Sequence, residues 1–154
     1  MITTKIGNLL DAHGVIVHGC NSHGVMGSGV AKQIKDKWPA VYENYNLRYL
    51  SEGLPLGSID YVRVETGVLV VNAITQKDYG RASKLYISYD AIEAAFKRIN
   101  NLVMDDLKHK PVPKVVSFPL IGCGLANGDW NIISKIIDDA LDNSISKVLW
   151  MQQP

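Results

Sequence analysis

The residues best placed to do chemistry lie in one stretch, Val15-Ile-Val-His-Gly-Cys-Asn-Ser-His-Gly-Val-Met-Gly-Ser-Gly-Val-Ala31. A β-branched apolar run gives way to a polar knot, Asn21, Ser22 and His23, then to Gly24, Gly27 and Gly29, and the chain turns helix-permissive from Val30. A strand that empties through glycines into a helix N-terminus makes an anion site, because bare N–H groups converge there and the helix dipole favours negative charge. The expected ligand therefore bears phosphate. The spacing is not that of a dinucleotide fingerprint, since Gly24-Val-Met-Gly27-Ser-Gly29 reverses G-x-G-x-x-G and follows the second strand rather than the first. It is not a P-loop either, because Val30 and Ala31 stand where Lys and Ser/Thr are required. Spacing alone leaves a phosphate cradle of a third kind or a tight turn.

A second loop of the same character is Pro119-Leu-Ile-Gly122-Cys-Gly124-Leu-Ala-Asn-Gly128. The elements around both loops follow from periodicity. Strands are predicted at Thr3–Ile6, from Val15, at Ile59–Val64, Val68–Thr75, Val115–Phe118 and Ser146–Gln152. Asp11 to Gly14 reads as a turn, and Glu65-Thr-Gly67 as a hairpin turn that makes one strand pair antiparallel. Helices are predicted up to Lys37 ahead of Trp38-Pro39, over Val41–Leu50, and from about Ser88 on the face Tyr89, Ile92, Phe96, Ile99 and Val103. A closing helix capped by Asp129 buries Ile132, Ile133, Ile136, Ile137, Ala140 and Leu141. Gln76–Arg81 and His109–Pro113 read as loops. Strands alternating with helices predict an α/β domain with a mixed sheet covered on both faces. Two glycine loops that both follow strands can share the carboxyl edge of the sheet, where α/β folds bind ligands.

Composition narrows the function classes. The 154 residues are 47% hydrophobic and 20% charged, which suits one globular domain over 1–154. Sixteen Lys+Arg against fifteen Asp+Glu give a net charge of +1, so no basic surplus marks a general nucleic-acid footprint or a membrane surface. No apolar stretch is long enough to span a bilayer, and the N-terminus lacks signal-peptide features. Cys20 and Cys123 sit beside glycines in separate loop-like stretches without metal-ligand spacing, which predicts a reduced, cytoplasmic compartment with no structural disulfide, metal or cofactor.

Taken together, Lys5-Ile-Gly-Asn-Leu9, the Gly19–Ala31 loop, Val71-Asn-Ala-Ile-Thr75, and Pro119-Leu-Ile-Gly-Cys-Gly-Leu125 with Asp129-Trp130 resemble the macro domain family over nearly the whole chain. The resemblance implies a three-layer fold with a mixed sheet of about six strands, and ADP-ribose as the ligand. Two branches are most similar. One contains the ADP-ribose 1″-phosphate phosphatases, which share the Gly-Asn opening and the Cys-Asn-x-x-Gly loop. The other contains enzymes that remove ADP-ribose from proteins or DNA, which share the Met-Gly-x-Gly loop and the Gly122-Cys-Gly-Leu125 turn. That second branch places Asp where this chain has Asn8, and Lys after the residue aligned with Thr75, where this chain has Gln76 with Lys77 one position late. Some of its members add an Asp where Ala126 stands. These departures favour the phosphatase, with de-ADP-ribosylation of protein or nucleic acid, or non-catalytic binding, as the rivals.

The resemblance implies roles residue by residue. Asn8, beside Leu9, grips adenine by accepting from its amine and donating to a ring nitrogen. Gly27, Ser28, Gly29 and Val30 offer N–H groups to one phosphate. Ile121, Gly122, Cys123, Gly124 and Leu125 wrap the other phosphate and the distal ribose, with glycines where a Cβ would hold the anion off. Asn21 meets the ribose hydroxyls. His23 carries a proton, imidazole being suited to that near neutrality. Asp129 orients water as well as capping its helix. Cys123 is a small filler, His18 a satisfied core residue, and His13 and His109 turn residues. Tyr79 and Trp130 are candidates to stack on a ribose or base, although aromatics at such places more often serve packing.

Overall fold

In a computed structural model, which describes residues 1–27, 29–79, 84–105, 113–124 and 126–152, six strands form one sheet. The strands are β1 (Ile2–Ile6), β2 (Val15–Asn21), β3 (Ile59–Arg63), β4 (Leu69–Gln76), β5 (Val115–Phe118) and β6 (Ser146–Met151), in the order β1-β6-β5-β2-β4-β3. Every pairing is parallel except β3–β4, the hairpin closed at Val64–Val68. The mixed sheet with helices on both faces agrees with expectation.

Among the described residues four α-helices cover the sheet: α1 (Gly29–Lys37), α2 (Pro39–Ser51), α3 (Tyr89–Met104) and α4 (Trp130–Ala140). The alternation of side chains along β2 explains why both faces are apolar. Val15 and Val17 enter one core with Phe96, Phe118, Ile133 and Ile137, beneath α3 and α4. Ile16 enters another with Leu9, Leu10, Ile34, Trp38 and Val41, beneath α1 and α2. Pro39 sits in the first turn of α2, where its missing N–H costs nothing, and α1 ends at Lys37 just before it.

Three local readings change. Ile132 is 44% exposed, so the buried stripe of α4 is Ile133 and Ile137, followed by Leu141. A 3-10 turn over Leu9–Asp11 replaces part of the predicted turn, and the chain reverses at Gly14 with φ +78°. Cys20 lies inside β2 and is buried rather than in a loop. The expected loop at His109 falls outside the described residues, as do Gly80 and Arg81. Among the described residues no helix is long and apolar enough to cross a membrane.

What positions the site is the β2–β5 pairing. Val15 lies opposite Val116 and Ile16 opposite Ser117 in parallel register, so both strands end at the same edge of the sheet. The two glycine loops therefore open side by side.

Candidate functional site

Between the loops lies a cavity of about 590 Å³, a volume that suits a small-molecule ligand. Gly27, Gly29 and Val30 form one wall, and Ile121, Gly122 and Gly124 the other. His18, Gly19 and Cys20 contribute from β2. Among the described residues that line it, none carries a formal charge of the Lys, Arg, Asp or Glu kind. An anion there would be held by peptide N–H groups and by the N-terminus of α1, whose first-turn N–H groups have no partner within the helix.

The first loop is shaped by Asn21. Its Oδ1 accepts from the His23 N–H at 2.9 Å, and its Nδ2 donates to the Val25 carbonyl at 2.9 Å. The buried Tyr45 hydroxyl donates to the Asn21 carbonyl at 2.6 Å and lies 3.0 Å from Oδ1. Burial holds that phenol above its ordinary range, so it remains a donor. Asn21 lines the cavity, yet its polar atoms are engaged within the loop. His23 is not among the residues lining the cavity; its side chain is 42% exposed, its ring meets that of the cavity-lining Tyr79, and its Nε2 lies 2.8 Å from Asp78 Oδ1. The Ser22 N–H donates to the Lys77 carbonyl at 3.3 Å, which ties the same two segments together.

Beneath this loop runs a buried polar chain. Asn44 Nδ2 and Asn72 Nδ2 donate to the two oxygens of Asp60, at 2.7 and 3.1 Å. The carboxylate only accepts, so Asn72 turns its Oδ1 toward His18, 2.5 Å from Nε2. That fixes Nε2 as the protonated nitrogen of His18. Burial lowers the His18 pKa to about 4, against the opposing pull of the Asn72 bond. His18 is a satisfied buried residue, and it also contributes to the cavity. Alongside it, Cys20 pairs with Ile74 and Asn21 with Gln76, so Thr75 is skipped as a bulge. The Thr75 hydroxyl is buried without a hydrogen-bond partner, 2.8 Å from where a Cβ on Gly19 would lie.

The second loop is held mainly by its backbone. Gly128 N–H donates to the Gly122 carbonyl at 2.6 Å, and Asn127 N–H to that of Gly124 at 3.1 Å. Gly122 and Asn127 take φ of +75° and +62°. The Tyr86 N–H donates to the Ala126 carbonyl at 2.9 Å, joining the loop to the segment before α3.

Other predicted residues are not among those lining the cavity. Asn8 caps the 3-10 turn, its side-chain oxygen accepting from Leu10 N–H at 3.0 Å, and Leu9 is buried in the core. Asp129 caps α4, accepting from Asn131 N–H at 2.9 Å. Cys123 sits in the second loop with its thiol pushed up by burial and further by Asp129, opposite to the depressed value that marks a thiolate nucleophile. Ser28 and Leu125 lie outside the described residues. Conversely, Gly19, Gln76 and Tyr79 line the cavity, and Asp78 reaches His23 from 55 residues away with no spacing signal to announce it.

Comparison with known proteins gives the fold its relatives. An uncharacterised 17.5 kDa protein of Enterobacteria phage T4 is 30% identical over 128 residues, covering 80% of this chain and 77% of that one. A protein of unknown function from Bacteroides thetaiotaomicron has a similar structure, with a TM-score of 0.85, 31% identity and coverage of 99% and 98%. The macrodomain of Thermus aquaticus DarG gives a TM-score of 0.77 at 25% identity, covering 100% of this chain and 99% of that one. The family described as Macro domain matches residues 17–137, and this chain belongs to it.

Proposed function

We propose that this chain binds ADP-ribose in the cleft and hydrolyses ADP-ribose 1″-phosphate to ADP-ribose and phosphate. One observation carries the reading: glycine loops on adjacent parallel strands flank a single cavity without Lys or Arg among its described lining residues, and one of them leads into α1. That geometry suits a diphosphate gripped by peptide N–H groups, with the first loop and α1 on one phosphate and the second loop on the other phosphate and distal ribose. Asn8 retains its NH₂ group for an adenine ring nitrogen, its oxygen being engaged in the cap. Asn21 contributes by fixing the first loop.

In this reading His23 carries the proton. It takes one from a water as that oxygen bonds to phosphorus, the bond from phosphorus to the ribose oxygen breaks, and the proton passes to the departing ribose oxygen. Rigid positioning and the loop N–H groups supply the rest of the rate. No cofactor enters the scheme. A cytoplasmic setting belongs to the same reading, supported by two free cysteines.

Removal of ADP-ribose from a protein or nucleic acid is the second reading. It draws on the exposed cavity-lining residues Tyr79 and Leu120, 55% and 37% exposed, which leave the mouth accessible to a carrier. Titration calorimetry with ADP-ribose tests the shared premise, and absence of heat would overturn both readings. Phosphate release from ADP-ribose 1″-phosphate, lost in His23→Ala with ADP-ribose binding retained, supports the first. Turnover of ADP-ribosylated protein or DNA, lost in Lys77→Ala, supports the second. Binding without turnover of any of the three leaves a non-catalytic reader.

A further inference from the structure

We propose that Asp78 is a positioning residue for His23, holding its imidazole in one tautomer and one orientation against the cavity-lining Tyr79. The inference rests on the hydrolytic reading above, in which His23 moves the proton, and adds the group that aims it.

Two contacts from neighbouring residues hold this exposed side chain, and a third restraint holds its backbone. The Asp78 carboxylate lies 2.8 Å from Nε2. The Tyr79 ring meets the imidazole edge to face, with centroids 6.0 Å apart and planes at 76°. The His23 backbone is pinned by its N–H to Asn21 Oδ1. A surface histidine serving only solubility needs none of these.

The chemistry of the carboxylate then sets the proton's place. An ionised carboxylate only accepts, so the neutral imidazole presents N–H at Nε2 and leaves Nδ1 with its lone pair bare. The same carboxylate compensates the imidazolium formed when Nδ1 takes a proton. The hydrogen bond from His23 holds the Asp78 carboxyl below its ordinary value, which keeps it ionised for that purpose. Asp78 is itself restrained: Gln76 Nε2 donates to its carbonyl at 2.8 Å, and Gln76 and Tyr79 both line the cavity. Segment 76–79 thus joins the cavity wall to the base.

The test combines a spectroscopic and a kinetic readout on the full chain. Long-range 15N–1H spectra are expected to show His23 protonated at Nε2 in the wild type and as a mixture of tautomers in Asp78→Asn, whose amide can face the ring either way. With ADP-ribose 1″-phosphate, Asp78→Asn is expected to lower kcat about tenfold with KM unchanged, Asp78→Glu to restore most of it, and the double variant with His23→Ala to be no slower than His23→Ala alone. Calorimetric affinity for ADP-ribose reports folding and is expected to stay within about twofold throughout, because Asp78 bonds to the first loop through the His23 side chain, four residues before Gly27, where the phosphate-binding N–H groups begin in this reading. An Asp78→Asn variant with wild-type kcat, or with the wild-type tautomer, overturns the proposal. A wild type that binds ADP-ribose and releases no phosphate overturns the hydrolytic reading instead, and the proposal with it.

Discussion

The two glycine loops share one edge of the sheet, and within each the glycines are of two kinds, those that border open space and those whose space the protein fills. In the first loop, a Cβ on Gly27 would come no nearer than 3.6 Å to any neighbour, and one on Gly29 would meet nothing within 4 Å. Both glycines line the cavity. In the second loop, a Cβ on Gly128 would lie 2.6 Å from the Gly122 carbonyl, and one on Gly122 2.7 Å from Ile87. Here the space is already filled by the protein, as it is at Gly24 of the first loop, where a Cβ would lie 2.8 Å from the Tyr49 ring, whereas one on Gly124 would meet nothing within 4 Å. The loops are also fastened differently: the first by the side chains of Asn21 and Tyr45, the second by backbone bonds and packing against Ile87 and Ile133. Glycines in one motif can thus serve binding in one place and folding in another.

Substitutions should separate the two. The largest effect is expected at Gly128→Ala, which forces its new methyl against a carbonyl that cannot leave without breaking the Gly128–Gly122 bond, at a cost of about 3 kcal/mol in urea unfolding. Gly27→Ala is expected to change stability by less than about 1 kcal/mol, since its neighbours leave room, while weakening ADP-ribose binding in calorimetry if the first loop cradles a phosphate. A Gly27→Ala variant as unstable as Gly128→Ala would erase the contrast.

Acidification probes the first-loop side. His18 is protonated near its ordinary pH when the chain unfolds but only near pH 4 when folded. Between about 6.5 and 4 the unfolded chain therefore binds more protons, and stability falls as pH falls, by about 2 kcal/mol between pH 7 and 5. Urea titrations at the two pH values measure this, and His18→Gln should flatten the dependence. Tyr45→Phe should cost about 1 kcal/mol by removing the donor that steadies Asn21, with faster amide exchange at His23 than at Asn127. Smallest of all is Thr75→Val: it removes a buried hydroxyl that has no partner, so thermal melting should show a change within about 0.5 kcal/mol or a slight gain.

Much of the fold was legible because strong periodic signals agreed with their punctuation. The hairpin at Glu65–Gly67, the Asp129 cap and the Ser88 start of α3 are local features, and each stands where local chemistry put it. Ile132 misled because four isoleucines in six residues exceed the width of one helical face. In the site, the glycine loops were legible and their fastenings were not. Asn21 reads as a ligand-facing amide until Tyr45 arrives from α2 to occupy it. Asp78 is one acidic residue in a polar run until the Ser22–Lys77 tie brings it to His23.

The order of residues by itself determined the alternation of strands and helices, the two glycine turns and the family they belong to, because these depend on neighbours within a few positions along the chain. Only the tertiary structure decided which glycines border open space, which polar atoms are already engaged, and which carboxylate faces which imidazole. Those depend on the parallel register of β2 against β5 and β4, which brings together residues as much as a hundred positions apart in sequence and leaves them within a few ångströms of each other.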